Sequence, residues 1–450
     1  MKLLIKNGHV VDPQNGLSDV RHLVIHEGRI EAVLTELPKG EFREIDATGK
    51  IVCPGFIDIH MHGAYESEFH DLRESILGCM LRMGVTTALG GNCGDNILPP
   101  REYFAAVEGK LPINLALLAG HGTAREMSGQ KDKYAPLTEE QLEKTCEILR
   151  EMLDDGCFGV SYGIRYYPGM DARELKETAR VCAEEHLMIA AHVRDDADYI
   201  FDSIEEFMAP GYEWNLPVQI SHIGSMGGYG QMSKVLSMME EAREKGLDVM
   251  ADCYPYDAFS TRLGETTYDP GFLERYRCDY SAIALSSGEY AGQRCTRELF
   301  ELLRREHPET ITVGHVMVPE DIRLALQHPL VMLASDGLME HHQGHPRAAG
   351  TFPRLLAEYV KKGAMPLETA IEKMTAMPAK RLGLTAKGNL SPGSDGDIVI
   401  FDYDSIRDTA TFEDPAAVPE GIDYVLLGGE VACKDGVITN GCLGKPIRRK

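Results

Sequence analysis

Six residues of this chain stand out among those whose types hold transition metals or move protons. His60 and His62 stand one residue apart in "PGFIDIHMHG". Cys93 stands in "GGNCGD", His192 in "AAHVRDD", His222 in "QISHIG" and Asp336 in "LASDG". His-x-His alone is a weak signal, since both imidazoles can be ordinary polar residues beyond a strand. If the strand runs on through them, its two-residue period turns both to one side, where paired imidazoles suit a metal ion. Histidines with a thiolate suit Zn²⁺, which prefers N and S donors; a Mg²⁺ site is built mainly from carboxylates. Three protein ligands leave a position for water, whose pKa zinc lowers to about 7, so hydroxide is available at neutral pH. A nearby carboxylate can take the proton and pass it to a leaving group. This is the equipment for hydrolysing an amide, an ester or a related bond.

These residues need elements that bring them together. The middle of the chain alternates short apolar strands with helical patterns. The strands are "GFIDIH", "TTALGGN", "INLALLAGH", "CFGVSYGI", "LMIAAHV", "PVQISHI", "DVMADCYPY" and "VMLASDG". Helical patterns fall at about 69–83, 138–155 (with Thr138 as N-cap), 172–186, 231–245, 352–362 and 367–382. This order predicts an α/β fold, a parallel (β/α)₈ TIM-like barrel. A doubly wound open sheet is the alternative, and no glycine-rich phosphate fingerprint follows the first strand to favour it. In a barrel, chemistry sits at the C-terminal ends of the strands. All six residues stand there, with His121 after the third strand, Tyr162 and Tyr166 after the fourth and Tyr254 after the seventh. Singly, a buried thiol, a core histidine or a helix-capping aspartate explains each one; convergence on one axis favours a site. His315 and the histidines of "EHHQGH" are read as loop residues.

The two ends differ from the middle. Residues 1–54 and 386–450 read as short strands punctuated by Gly, Asn, Asp and Pro. They predict a small discontinuous β-sandwich built from both termini around a barrel of residues 55–385. Residues of about 258–310, between the seventh and eighth strands, read as an excursion over the active-site face. The chain has 450 residues and a formal net charge of -24, which repels phosphate backbones and anionic lipid and argues against nucleic-acid or membrane partners. The 11 cysteines are scattered with no Cys-x-x-Cys pair, and no signal-like or membrane-length apolar run occurs; both fit a cytoplasmic protein acting on a small molecule. Oligomeric state is left open.

The motifs "PGFIDIHMH", "GVTTALGGNCG", "GHGTAR", "GVSYGIRYYPG", "AHVRDD", "QISHIG", "DCYPY", "LASDG", "HPRAAGTFPR" and the closing "GNLSPGSDGDIVIFD" resemble the amidohydrolase superfamily. Within it they resemble most the N-acyl-D-amino-acid deacylase (D-aminoacylase) branch. Most of the superfamily carries a bridging carboxylated lysine on the fourth strand. "CFGVSYGI" has none, and Cys93 matches the cysteine that this branch uses instead. The resemblance implies a zinc-dependent amidohydrolase of N-acyl amino acids, of D configuration. Cys93, His192 and His222 would hold a tight zinc, and His60 and His62, sharing Cys93, a second and weaker metal. Asp336 would be general base and acid, and Tyr166 would lie near the substrate carboxylate. The lysine that the branch places two residues past the sixth-strand histidine, for that carboxylate, is Gly224 here. Arg194 is the first candidate to replace it, followed by Arg262 and Arg347, with Arg165 a further one; His121 and Tyr254 complete the candidate substrate contacts. Competing expectations are cyclic-amide or dipeptide hydrolysis and, from another class, an inactive scaffold. No Glu follows His192 to protonate a ring, which argues against a deaminase.

Overall fold

The computed structural model describes residues 1–72 and 75–449. Its centre is a ring of short parallel strands: Phe56–Asp58, Val85–Gly90, Asn114–Leu117 continued by Ala119–Gly120, Gly159–Gly163, Met188–His192, Val218–Ile220, Val249–Cys253 and Val331–Leu333. All neighbours pair in parallel, from Ile57 opposite Thr87 round to Ala251 opposite Val331. The ring closes where the Asp336 N–H donates to the His60 carbonyl at 2.9 Å and the His62 N–H to the Gly337 carbonyl at 2.8 Å. The strands are buried on both faces, as β-branched and small apolar runs between helices must be. Met188, Ala190, Met332 and Ala334 pack into one inner cluster, while Ile189, Ala191, Val331 and Leu333 join the outer core beneath the helices. That two-residue alternation also points His192 inward.

The expected helices form with adjusted ends. Glu139–Asp154 starts at a reciprocal cap in which Thr138 and Gln141 satisfy each other's backbone N–H groups. The pattern read at 69–83 yields only Ile76–Arg82, with residues 73–74 outside the described residues. A break at Thr375 divides the last pattern into Leu367–Met374 and Ala376–Arg381. Among the described residues, further helices that were not expected include Pro100–Val107, Ile200–Trp214 and Pro319–Gln327. Pro210 and Gly211 lie inside the second of these and read locally as a breaker; burial of Ile204, Phe207 and Met208 holds the helix together.

The excursion is more ordered than its sequence suggests. Strands Phe259–Arg262, Ile283–Leu285 and Ile311–Gly314 form a three-stranded antiparallel sheet. Helices Phe272–Tyr276 and Arg297–Glu306 accompany it. The termini meet in one nine-stranded sheet. In it Ile51–Pro54 from the N-terminal side pairs antiparallel with Ile398–Phe401 from the C-terminal side. Leu3, Ile5, Leu23, Ile25, Ile398 and Ile400 share one core, so the sheet curls round on itself, while Val399 and Phe401 on its other face pack against the barrel. No helix among the described residues is long and apolar enough to cross a membrane.

Candidate active site

The first barrel strand ends at Asp58, short of the two histidines, so strand alternation does not aim them. Backbone hydrogen bonds from the eighth-strand segment pin the irregular stretch instead, and the rings still converge, with Nε2 atoms 3.3 Å apart. Cys93 follows the second strand in a left-handed backbone conformation, φ 52°. The next residues are tied down: Gly94 N–H donates to Ser161 Oγ at 3.0 Å, and Asn96 bonds the Leu118 carbonyl and the Gly120 N–H. The thiol sulfur thereby lies 3.4 Å from His60 Nε2 and 3.5 Å from His222 Nε2. Donors bonded to one tetrahedral zinc at about 2.0–2.3 Å are roughly 3.3–3.8 Å apart, so this spacing fits such an ion.

Two donor groups result. His60, Cys93 and His222 form one, and His60, His62 and Asp336 the other, each with ligand atoms within 4.8 Å of one another. His192 belongs to neither, although its ring lies 4.5 Å from that of His222 and 4.7 Å from that of Tyr166. Its Nδ1 is buried with no hydrogen-bond partner, an orphaned nitrogen in a ring that borders the cluster. Burial alone would raise the Cys93 thiol, but His60 and His222 outweigh it and hold it well below the usual thiol range. Burial lowers His192 to about 4, which keeps its imidazole neutral, the form that ligates. These residues fit zinc.

Asp336 reaches His62 at 3.2 Å and His60 at 3.4 Å through one oxygen, and Arg347 at 2.9 Å through the other. Burial would raise its carboxyl; Arg347, His222 and His60 overcome that and hold it well below the ordinary range. Behind the cluster lies a residue that sequence reasoning missed. Asp252 is buried, accepts the His222 N–H at 2.8 Å and Gln219 Nε2 at 2.8 Å, and stands 3.4 Å from His60 Nδ1. A signal existed: an aspartate inside an apolar strand, on the same face as Tyr254 two residues on. Ser225 Oγ, 2.9 Å from His222 Nδ1, was missed as well.

A cavity of about 440 Å³ opens over the cluster, lined among others by His62, Cys93, Tyr166, His192, His222, Tyr254, Arg262, Asp336 and Arg347. Two candidates are elsewhere. Arg194 does not line the cavity; it grips Glu206, with Nη2 2.7 Å from Oε1, and donates to the Met170 carbonyl. The strand stops at His192, so the alternation that would have aimed Arg194 inward stops too. His121 is fully buried against Glu174 at 2.9 Å, alongside Arg125. Tyr162 turns outward to Thr178, and Arg165 pairs with Asp195 at 2.5 Å. By contrast, Arg347 stacks over the Tyr254 ring at 4.6 Å, and Arg262 lines the cavity while bonding Glu340 at 2.5 Å. His345, read as a loop residue, is buried and accepts the Arg347 N–H at 3.0 Å. The Gly224 position does not face the cavity: a Cβ there would lie 2.8 Å from Cys253 Sγ and 2.9 Å from Ile322.

A parallel barrel with a curled terminal sheet and a Cys–His cluster at its strand ends fits a metal-dependent hydrolase of amide C–N bonds. The chain matches the model of the amidohydrolase family over residues 43–129 and 105–433. An N-acyl-D-glutamate deacylase of Alcaligenes xylosoxydans xylosoxydans is 30% identical over 469 residues, covering 95% of this chain and 93% of that one. The crystal structure of N-acyl-D-glutamate deacylase from Bordetella bronchiseptica, complexed with zinc and a phosphonate mimic of the tetrahedral intermediate, superposes with a TM-score of 0.89. It is 29% identical, and 99% of each chain is covered. A D-aminoacylase structure that addresses one-metal activation and second-metal attenuation of a binuclear centre gives a TM-score of 0.88 at 27% identity, again over 99% of each chain. The chain therefore belongs to the amidohydrolase family. Within it, the chain lies on the N-acyl-D-amino-acid deacylase (D-aminoacylase) branch.

Proposed function

We propose that this protein hydrolyses the amide bond of N-acyl-D-amino acids. The observation that carries the reading is the pair of donor groups sharing His60, with Asp336 at their edge and Arg347 beside it. We assign Cys93, His222 and the adjacent His192 to one tightly held zinc, and His60 and His62, sharing Cys93, to a second, weaker position. Zinc held there would supply an activated water at neutral pH. Asp336, within reach of His60 and His62, would serve as the carboxylate that accepts a proton and returns it to the leaving nitrogen. Arg347 holds that carboxylate in place. Tyr254 and Tyr166 line the cavity, which supports them as substrate contacts. That Arg347 and Arg262 line the cavity, while Arg194 and His121 do not, supports the first two as readers of the substrate carboxylate. The cysteines are all free, which supports a reducing, cytoplasmic setting.

Relatives named N-acyl-D-glutamate deacylase and D-aminoacylase support the D-amino-acid assignment. The test is amine release from a panel of N-acetyl-D- and N-acetyl-L-amino acids by the zinc-loaded enzyme. Release from the D series is expected. Silence on every free-acid substrate, together with opening of a cyclic amide, would replace the reading with cyclic-amide hydrolysis.

A further inference from the structure

His222 has a left-handed backbone, φ 34°, and its neighbours must aim its ring. Strand Val218–Ile220 ends two residues before it, and the short helix Ile223–Gly227 starts directly after it. Four contacts converge on this residue. Asp252 accepts its N–H at 2.8 Å. Its carbonyl accepts the Ser225 N–H at 2.9 Å and the Ser225 hydroxyl at 2.9 Å. Its ring nitrogen Nδ1 lies 2.9 Å from that same hydroxyl oxygen. Ser225 is buried, and Tyr229 Oη donates to its carbonyl at 2.9 Å. A serine in a helix commonly bonds back to a carbonyl one turn earlier. That habit accounts for the carbonyl contact and leaves the contact with Nδ1 unexplained.

Counting hydrogens explains it. A serine hydroxyl has one hydrogen and two acceptor lone pairs. A carbonyl can only accept, so the hydrogen given to the His222 carbonyl is not available to Nδ1. The hydroxyl oxygen then meets Nδ1 as an acceptor, and Nδ1 carries the hydrogen of that bond. In the neutral imidazole this leaves the lone pair on Nε2. Nε2 is the atom 3.5 Å from Cys93 Sγ, in the donor group of His60, Cys93 and His222. We infer that Ser225 is a positioning residue for His222: its hydroxyl oxygen takes the Nδ1–H, selects that tautomer and turns Nε2 toward Cys93. This rests on the assignment of His222 to the tightly held zinc in the function proposed above. Groups behind a ligating histidine act on metal affinity by fixing tautomer and ring direction. Ser225 also lines the cavity, so contact with substrate is the competing role.

Competitive chelation of the full chain measures zinc affinity without any substrate. Ser225→Ala should weaken it about 10–100-fold, the usual effect of losing a group behind a ligating histidine. Ser225→Thr keeps the hydroxyl and should recover most of that loss. Cobalt in place of zinc gives a spectroscopic reading of the same site: its visible absorption should change in Ser225→Ala and return in Ser225→Thr. Equal losses in the two variants would show that packing matters and the hydroxyl does not, which overturns the inference. A hydroxyl that only braced the short helix would lower the Tm of the zinc-free Ser225→Ala protein and leave its zinc affinity unchanged; that pattern overturns it as well. Unchanged zinc affinity with a raised KM overturns it in favour of a substrate contact. An unmutated protein that binds no zinc overturns the metal assignment, and this inference falls with it. A zinc affinity that follows the hydroxyl as described, in a protein that cleaves no N-acyl amino acid, upholds the inference and removes only the substrate reading.

Discussion

Cys93, His222 and Asp336 have φ values of 52°, 34° and 48°, in the region that side chains resist at a cost of about 1–3 kcal/mol each. Strain at three residues of one cluster persists only where the surroundings over-determine it. Here a serine hydroxyl holds the residue after Cys93, Asp252 holds the His222 N–H and the His60 carbonyl holds the Asp336 N–H. Cys93→Ala should lose most of the bound zinc by elemental analysis, and activity with it; a variant that keeps its zinc would refute the thiolate assignment. Asp336→Asn keeps shape and metal but removes the proton acceptor, so turnover should fall roughly 10²- to 10⁴-fold. Near-normal turnover there would reduce Asp336 to a partner for Arg347. Asp252→Asn is expected to weaken zinc binding by about 10–100-fold, the usual effect of losing a carboxylate behind a ligating histidine. Competitive chelation measures this directly, and unchanged affinity would show that Asp252 only braces the strand.

Among the elements, the excursion carries the most function. It lines the cavity with Phe259, Ser260, Thr261, Arg262 and Glu265. It is fastened to the loop after the fifth strand through the buried Asp196, which accepts Tyr276 Oη at 2.6 Å and lies 2.9 Å from Arg275 Nε. Tyr276→Phe removes one member of that buried set, a loss of about 1–3 kcal/mol. Limited proteolysis should then cut between residues 258 and 316 faster than in the unmutated protein, and equal rates would mean that Arg275 suffices. The strand, hairpin and helix content of this segment was hidden because its sheet is antiparallel and local, with partly exposed strands such as Phe259–Arg262 that lack the apolar run of a barrel strand. We propose a division into a terminal unit of residues 1–54 and 386–450 and a barrel of 55–385; the pairing of Ile51–Pro54 with Ile398–Phe401 supports it.

At the scale of the molecule, the barrel is stitched by its own last residues. The Leu115 N–H donates to the Lys445 carbonyl, Ile447 N–H to Leu115, and Arg449 N–H to Gly156, so the tail adds backbone hydrogen bonds beside the third strand. Deleting residues 443–450 would orphan these groups, and a lower Tm is expected by calorimetry. The donor groups also join segments that follow the first, second, sixth and eighth strands. A metal that binds only the folded ring stabilises it by mass action. Dialysis against a chelator should lower Tm, and zinc should restore it; an unchanged Tm would mean that the ring closes independently of its metal.

What the sequence determined by itself was whatever depends on local pattern. Apolar runs gave the eight barrel strands, because a strand buried on both faces must be apolar throughout. Residue type at their ends singled out His60, His62, Cys93, His192, His222 and Asp336 as candidates. Tertiary structure decided matters that depend on partners distant in the chain. Arg194 stands two residues from His192, yet Glu206 holds it because the strand ends at that histidine. His121 stands at a strand end, yet Glu174 and Arg125 enclose it. Asp252 and His345 entered the account only when their neighbours were known. A charged side chain's direction follows the partner that satisfies it, and that partner is chosen by packing, which no short stretch of sequence contains.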